Sequence, residues 1–327
     1  MSLDVARQPS AAVILTALVI FLIALAFPGA ETGAADGTGG GTVAGGAAQG
    51  LPLAQLVAAT LPRWAQTVAA AALSFVNAVI LTRIAVRNML YGARSYLPAT
   101  IYAVAVCAFV RWDAALCLAS TLIVAGLDTL IAGMGRAEGF DRCFRGSLAV
   151  GLAVTLYAPA ALMIAALPVV LSALSRSGRE VVVSLVGALL PLAALSYIYM
   201  WAGFDFLYYP RALADALLAP SATTTAIATI ALAGLLSLLS LLSLATLFFT
   251  GRTMRRRAWR ITLLFGLTLP ILWAGALLPC RGTDMAALTA IPTALIAPIF
   301  FARNPGWLST VIYIMVLVAA LAAITVR

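Results

Sequence analysis

Long apolar runs recur along this chain, and the short gaps between them hold nearly all of its charge. The runs cover residues 11–28, 66–82, 95–110, 114–133, 181–202, 222–249, 261–279, 286–302 and 308–326. Each lies near the roughly 20 residues that an α-helix needs to cross a hydrocarbon core. No series of ten-residue alternating segments marks a transmembrane barrel. The pattern predicts an all-α, polytopic membrane protein with three parts. A head and first helix occupy 1–28, a glycine-rich linker with an interfacial segment occupies 29–65, and a multi-helix membrane domain occupies 66–327.

The first run resembles a secretory signal, but it is long for one and further spans follow, so it reads as a retained helix. Residues 29–50 hold nine glycines, with Glu31 and Asp36 as their only charges. This is the composition of a flexible linker. Residues 51–62 are apolar but too short to cross, which places them at the membrane surface.

Residues 147–175 fit two readings. With Pro159 and Pro168 inside, they form either one kinked helix or two short legs meeting near 158–160. The arginines decide. A single crossing would move every later gap to the other side and put residues 251–260, GRTMRRRAWR, outside the cell. Five arginines in ten residues belong in the cytoplasm. The stretch therefore returns to the side it left, as two short spans or as a re-entrant hairpin. A broken pair of this kind needs protein or water around it.

Charge then fixes the topology. All twenty cationic side chains are arginines; the chain has no lysine and no histidine. Fifteen arginines fall in alternate gaps: Arg7; Arg83, Arg87 and Arg94; Arg136, Arg142 and Arg145; Arg176 and Arg179; Arg252, Arg255, Arg256, Arg257 and Arg260; and Arg303. Arg63, Arg111, Arg211, Arg281 and Arg327 fall in the others. The positive-inside rule gives about eleven membrane segments in a bacterial inner membrane, with the N-terminus inside and the C-terminus outside. The composition agrees: 64% of residues are hydrophobic and 9% charged, against about 25% charged in soluble domains. The net charge of +9 is spread over loops and gathers into no basic domain, so nucleic acid is not an expected partner.

The missing residue types exclude much chemistry. Without histidine there is no Ser-His-Asp or Cys-His nucleophile and no His-ligated haem, zinc or di-iron site. Without lysine there is no Schiff base and no phosphate-binding loop of the Gly-Lys type. No cofactor or metal is expected. Cys107 and Cys117 flank the turn Arg111-Trp112-Asp113 at similar distances. They fit a disulfide across a hairpin or, as the default, two buried small residues.

Asp128 is the one acid deep within a predicted span. It reads as a proton or cation site, or as a structural partner of Arg136, another inner-end arginine or Asn77. Three outer gaps join arginine to aspartate: Arg111 with Asp113; Arg211 with Asp205 and Asp215; and Arg281 with Asp284. Arginine suits phosphate, and a nearby carboxylate suits general-base work on a sugar hydroxyl. Such a set fits an enzyme in which Arg111, Arg211 and Arg281 bind phosphate and Asp113 or Asp205 acts as base. It also fits ordinary interface salt bridges. The aromatic run around Tyr197–Tyr209 matches a headgroup belt and equally a sugar-stacking surface. Residues 211–218 read as an interfacial helix, with Leu213, Leu217 and Leu218 towards lipid and Asp215 towards water.

On the inner side, RNMLYGARSYLPATIY from Arg87 and RCFRGSLAVGLAVTLYAPA from Arg142 resemble a family of bacterial multi-spanning membrane proteins without an assigned activity. The resemblance implies location and architecture and transfers no catalytic residue. Three functional classes follow. The leading one handles lipid or polyprenyl-linked glycan at the outer leaflet. The second is a transporter with a path past the broken pair and Asp128. The third is a scaffold that docks envelope proteins.

Overall fold

The computed structural model describes residues 16–22, 51–91, 95–109, 113–133, 139–173, 176–218, 227–249, 256–276, 283–304 and 306–325. Among them the regular elements are all helical. Residues 16–22 form α1, followed by α2 (Pro52–Thr60), α3 (Arg63–Arg87), α4 (Leu97–Phe109), α5 (Ala114–Gly133) and α6 (Phe140–Leu156). A 3-10 turn (Ala158–Ala160) leads into α7 (Ala161–Ala173) and α8 (Gly178–Trp201). The chain continues through α9 (Tyr208–Leu218), α10 (Ile227–Phe249), α11 (Arg256–Ala276), α12 (Thr283–Arg303) and α13 (Trp307–Thr325). Five helices among the described residues, α3, α5, α8, α10 and α13, are long and apolar enough to cross a membrane.

Side-chain pairings show how the helices alternate between two ends. α3 and α5 run in the same direction, because Ser74 lies by Cys117 and Arg87 lies by Asp128. α4 returns beside α3 and is tied to it where the Asn77 amide donates to the Tyr102 hydroxyl at 3.1 Å. Arg142 donates to the Ala132 carbonyl at 2.7 Å, closing the end of α5 onto the start of α6. A Cβ at Gly139 would stand 2.9 Å from Glu180 Oε1 and 3.0 Å from Arg176 Nη1. The residues before α6 and after α7 therefore meet at one end, here the arginine end. The stretch 147–175 leaves that end and returns to it.

The turn-back has a local cause. Tyr157 leaves the helical region at φ −142° and ψ 103°. Pro159 lacks the N–H that would continue the α6 ladder and disfavours helical backbone at the residue before it. Ala160 N–H donates instead to Tyr157 O at 3.0 Å, making one 3-10 turn. The apex residue Ala158 is buried in a cluster with Leu51, Ala54, Ala115, Tyr209 and Ala216. That cluster lies at the opposite end, the α9 end. At about 1.5 Å per residue, the 17 residues of α6 carry the apex across the bundle.

Small residues set the closest helix contacts. A Cβ on Gly146 would meet Thr129 Oγ1 at 2.6 Å and Gly126 O at 2.8 Å, so α5 and α6 nearly touch along their backbones. Gly151 abuts the Ala188 carbonyl, and Gly187 lies against Phe144 and Ser147, which brings α8 equally close to α6. On α10 Gly234 faces open space, while the buried Ser243 hydroxyl donates to the Ala297 carbonyl of α12 at 3.3 Å. α4 is buried along its whole length, and α12 is buried from Leu288 through Phe301. Together they form the centre of the bundle.

Element ends differ from expectation in two places. Residues 83–87 continue α3 instead of opening a loop. α3 then stops with Leu90 N–H on Ala85 O and Met89 N–H on Val86 O, a Schellman closure. Met89 occupies its left-handed position at φ 51°. Residues 256–260 likewise belong to α11, so Arg256, Arg257 and Arg260 ride on its first turns, all exposed. Residues 1–15, 23–50 and 251–255 lie outside the described residues, and with them most of the predicted first span and glycine linker. The boundary expected at 66 falls inside the first turn of α3.

Candidate functional site

The α9 end is built from the end of α8, α9, the start of α5, the 3-10 apex and α2. Gly203 turns the chain out of α8 at φ 89°, a conformation that side chains rarely adopt. Tyr208 N–H on Asp205 O at 2.9 Å and Arg211 N–H on Leu207 O at 3.0 Å start α9. Pro210 sits in this first turn, where a missing N–H leaves no helical bond unmade. Tyr209 and Ala216, seven residues apart, are buried; Leu213 and Leu217 are half-buried on the same face. Arg211, Ala214 and Asp215 are exposed. The apolar face of α9 thus lies on protein. The expectation that Leu213 and Leu217 face lipid is corrected, because the ends of α5 and the hairpin supply the apolar surface that they cover. The side chain of Leu218 lies outside the described residues.

Aromatic rings gather at the start of α9. Tyr199 stacks on Tyr209 with centroids 6.0 Å apart and planes at 11°. Phe204 stacks on Tyr208 at 4.8 Å. Trp201, at 78% exposure, Tyr197, Phe204, Phe206 and Tyr208 stand open to the surroundings. Beneath them Tyr209 is fully buried, and its hydroxyl finds no hydrogen-bond partner among the described residues. Burial among apolar side chains, followed by the neighbouring Tyr199, pushes that phenol well above its ordinary value.

The structure locates some of the expected site residues. Asp113 caps α5, its Oδ1 accepting the Ala115 N–H at 2.9 Å. Burial raises its carboxyl above the ordinary value, against the pull of the Ala115 and Leu116 N–H groups. Asp205 and Arg211 pair at 3.5 Å, and both are about two-thirds exposed. Asp215 is exposed on the same helix. Asp113 and the Asp205–Arg211 pair therefore share one end of the bundle. Arg111, Arg281 and the side chain of Asp284 lie outside the described residues.

Asp128 is engaged at the arginine end. Its Oδ1 accepts from Arg87 Nη2 at 2.7 Å, with the two side chains 24% and 35% exposed. Arg136 lies outside the described residues, and Asn77 is turned to Tyr102 instead. A crevice among α5, α7, α11 and α12 is lined by Ile123, Leu127, Met163, Phe265, Thr268, Leu272, Leu288, Ile291 and Pro292. It is too narrow to admit a water molecule, and only Thr268 brings a side-chain polar group. Cys107 and Cys117 are buried thiols that no disulfide joins; the Ser74 hydroxyl donates to Cys117 Sγ at 3.4 Å. Cys143 is also a buried free thiol, and Cys280 lies outside the described residues. Among the described residues no group of three His, Cys, Asp or Glu side chains converges to hold a metal ion.

One polar cluster escaped the sequence reading. Arg176 Nη1 and Glu180 Oε1 pair at 3.1 Å with both side chains only 9% exposed. Glu180 also accepts the Ser177 N–H while Ser177 Oγ accepts the Glu180 N–H, completing a capping box on α8. The string Ser177-Gly178-Arg179-Glu180 carries the Ser-x-x-Glu signature of such a box.

No protein-family model, no curated protein and no solved structure matches the chain.

Proposed function

We propose that this chain is a bacterial inner-membrane protein that works on its surroundings at the α9 end, engaging the headgroup region of lipids or of polyprenyl-linked glycans in the outer leaflet. In this reading eleven segments cross or nearly cross the membrane. They are α1, α3 to α8 and α10 to α13, with α6 and α7 as the two legs of a hairpin. The arginine end faces the cytoplasm and the α9 end faces out.

The supporting observation is the composition of the α9 end. Exposed Trp201, Phe204, Phe206 and Tyr208 surround the start of a surface-lying helix that also presents Arg211 and Asp205. Aromatic rings settle at headgroup depth, and an arginine among them offers a planar fork to a phosphate. In the interior, Asp128 is matched by Arg87, and the crevice lined by Ile123 and Leu127 of the same helix is narrow and apolar. A general-base role for Asp113 competes with its capping of α5.

The test uses the full chain in lipid nanodiscs with added polyprenyl phosphate, polyprenyl-linked sugar or a neutral diacyl lipid. Binding of the phosphate-bearing lipids is expected to exceed that of the neutral lipid severalfold and to fall severalfold in Arg211→Gln. Equal binding of all three lipids, or an unaffected Arg211→Gln, would remove the reading. Orientation is read separately in a Cys280→Ser background. A cysteine placed at Ala214 should react with an impermeant maleimide on intact cells, and one at Arg179 only after the membrane is opened.

A further inference from the structure

The buried hydroxyl of Tyr209 is chemically mismatched to its surroundings. The side chain is fully buried in a cluster with Leu51 and Ala54 of the α2 region, Ala115 of α5, Ala158 at the hairpin apex and Ala216 of α9 itself, against which Leu192, Leu195 and Tyr199 of α8 and Leu213 and Leu217 of α9 are packed. Apart from the Tyr199 phenol these side chains carry no hydrogen-bonding group, and the phenolic oxygen of Tyr209 has no partner among the described residues. A hydroxyl held this way forfeits its hydration without recompense. An apolar group of similar bulk would suit the same space better.

The mounting of α9 gives this mismatch an outlet. The helix hangs from α8 through Gly203, whose backbone is left-handed and around which nothing packs within 4 Å of a would-be Cβ. Its outward face is polar, with Arg211 and Asp215 exposed. On its inward face Tyr209 is the large fully buried group, and its ring lies parallel to that of Tyr199. Lifting α9 would move the phenol towards the exposed aromatics and water. It would leave a ring-sized, alanine-walled slot between α2, α5 and the apex.

We infer that Tyr209 is a plug in a binding slot for the hydrocarbon chain of a membrane lipid, and that α9 is the lid that carries the plug. The occupant follows from the walls, which are methyl groups and suit hydrocarbon, not phosphate or sugar. Arg211, two residues along the lid and exposed, is placed to meet the headgroup of the same lipid. This inference rests on the proposed location of the α9 end at the outer leaflet and adds what that end binds, and how access is controlled.

The test is photolabelling of the full chain in nanodiscs with a phospholipid that carries a diazirine in one acyl chain, with the labelled sites mapped by mass spectrometry. Tyr209→Ala removes the plug, and labelling at Leu51, Ala54 and Ala115 should rise severalfold over the unaltered protein. Tyr209→Phe removes only the unsatisfied oxygen, which stabilises the closed lid; labelling there should fall by about fivefold or more. A plug that served packing alone would leave the three proteins labelled alike, and that result overturns the inference. If Tyr209→Ala does not fold, the Tyr209→Phe comparison decides alone. Repeating the experiment with anionic and neutral headgroups keeps the two proposals apart. Loss of headgroup preference with the labelling order intact sinks the functional reading only, whereas a flat labelling order sinks the plug only.

Discussion

Glu180→Gln should be among the most damaging single-atom-scale changes in this protein. The carboxylate is held against Arg176 at 3.1 Å, and both side chains are 9% exposed. Gln keeps the volume and can still accept the Ser177 N–H, so the capping box persists. What is lost is the charge that compensates a buried guanidinium. Arg176 already has Nη2 buried without a hydrogen-bond partner among the described residues, so it has no alternative acceptor close by. Removing one member of a buried pair costs about 3–5 kcal/mol. Replacing both by apolar residues of similar size, as in Arg176→Met with Glu180→Leu, should cost much less, because no bare charge remains. The assay is reversible unfolding in mixed micelles, followed by the helical circular dichroism signal for the two single variants and the double. A Glu180→Gln protein within about 0.5 kcal/mol of the original, below any of the effects above, would refute the burial argument. So would a double variant as unstable as the sum of the singles.

Three further outcomes follow from the geometry. Met89→Gly should stabilise by about 1 kcal/mol, since Met89 holds the left-handed position of a Schellman closure with its side chain exposed; an unchanged or lower melting temperature would contradict this. Gly146→Ala should destabilise by about 1–3 kcal/mol or more, because its Cβ meets Gly126 O at 2.8 Å, whereas Gly234→Ala, facing open space, should be neutral or mildly stabilising; equal effects in a melting comparison would refute the packing assignment. Asp113 gives a pH test: burial raises its folded pKa above the ordinary 3.8, so the folded state binds the proton more tightly, and stability falls as pH rises from 3.8 through the raised value. Asp113→Asn keeps a good helix cap and should remove that decline, with higher stability at neutral pH and little change below the window; parallel pH–stability curves for the two proteins would count against the burial assignment.

The helices were legible because a membrane span is written in composition, which survives without knowledge of neighbours. α5 begins and ends where the apolar run does, at Ala114 and Gly133. The hairpin at Pro159 was legible for a different reason: arginines far away in sequence left only one way to place it. What stayed hidden were the faces. Leu213 and Leu217 look equally suited to lipid or to protein, and only the position of the hairpin apex decides between them. The close approach of α5, α6 and α8 depends on Gly126, Gly146, Gly151 and Gly187 falling opposite small groups. One sequence cannot reveal that among its 25 glycines. An inner-end arginine was an expected partner for Asp128; that it is Arg87, 41 residues away on the last turn of α3, only the structure shows. By contrast, the Ser177–Glu180 capping box is written locally, in the Ser-x-x-Glu spacing of residues 177–180.

These two kinds of legibility bear on where function lies. The arginine end is rich in charge: some of its described arginines are engaged within the fold, while Arg83, Arg179, Arg256, Arg257 and Arg260 stand exposed. Arg87 is matched to Asp128, Arg142 to the end of α5, Arg145 to Asp141 at 2.9 Å, and Arg176 to Glu180. Arg303 likewise donates to the Thr246 carbonyl at 3.1 Å, closing the end of α10. At the α9 end the balance differs. Asp205 and Arg211 meet at 3.5 Å in the open, large aromatic rings stand exposed, and a buried phenol goes unsatisfied. Unmet interactions cost stability, and a sequence drifting under selection for folding alone would trade Tyr209 for phenylalanine at a gain. That tyrosine stands there in place of phenylalanine argues that its hydroxyl serves a second state, one in which α9 has lifted and the oxygen has found a partner.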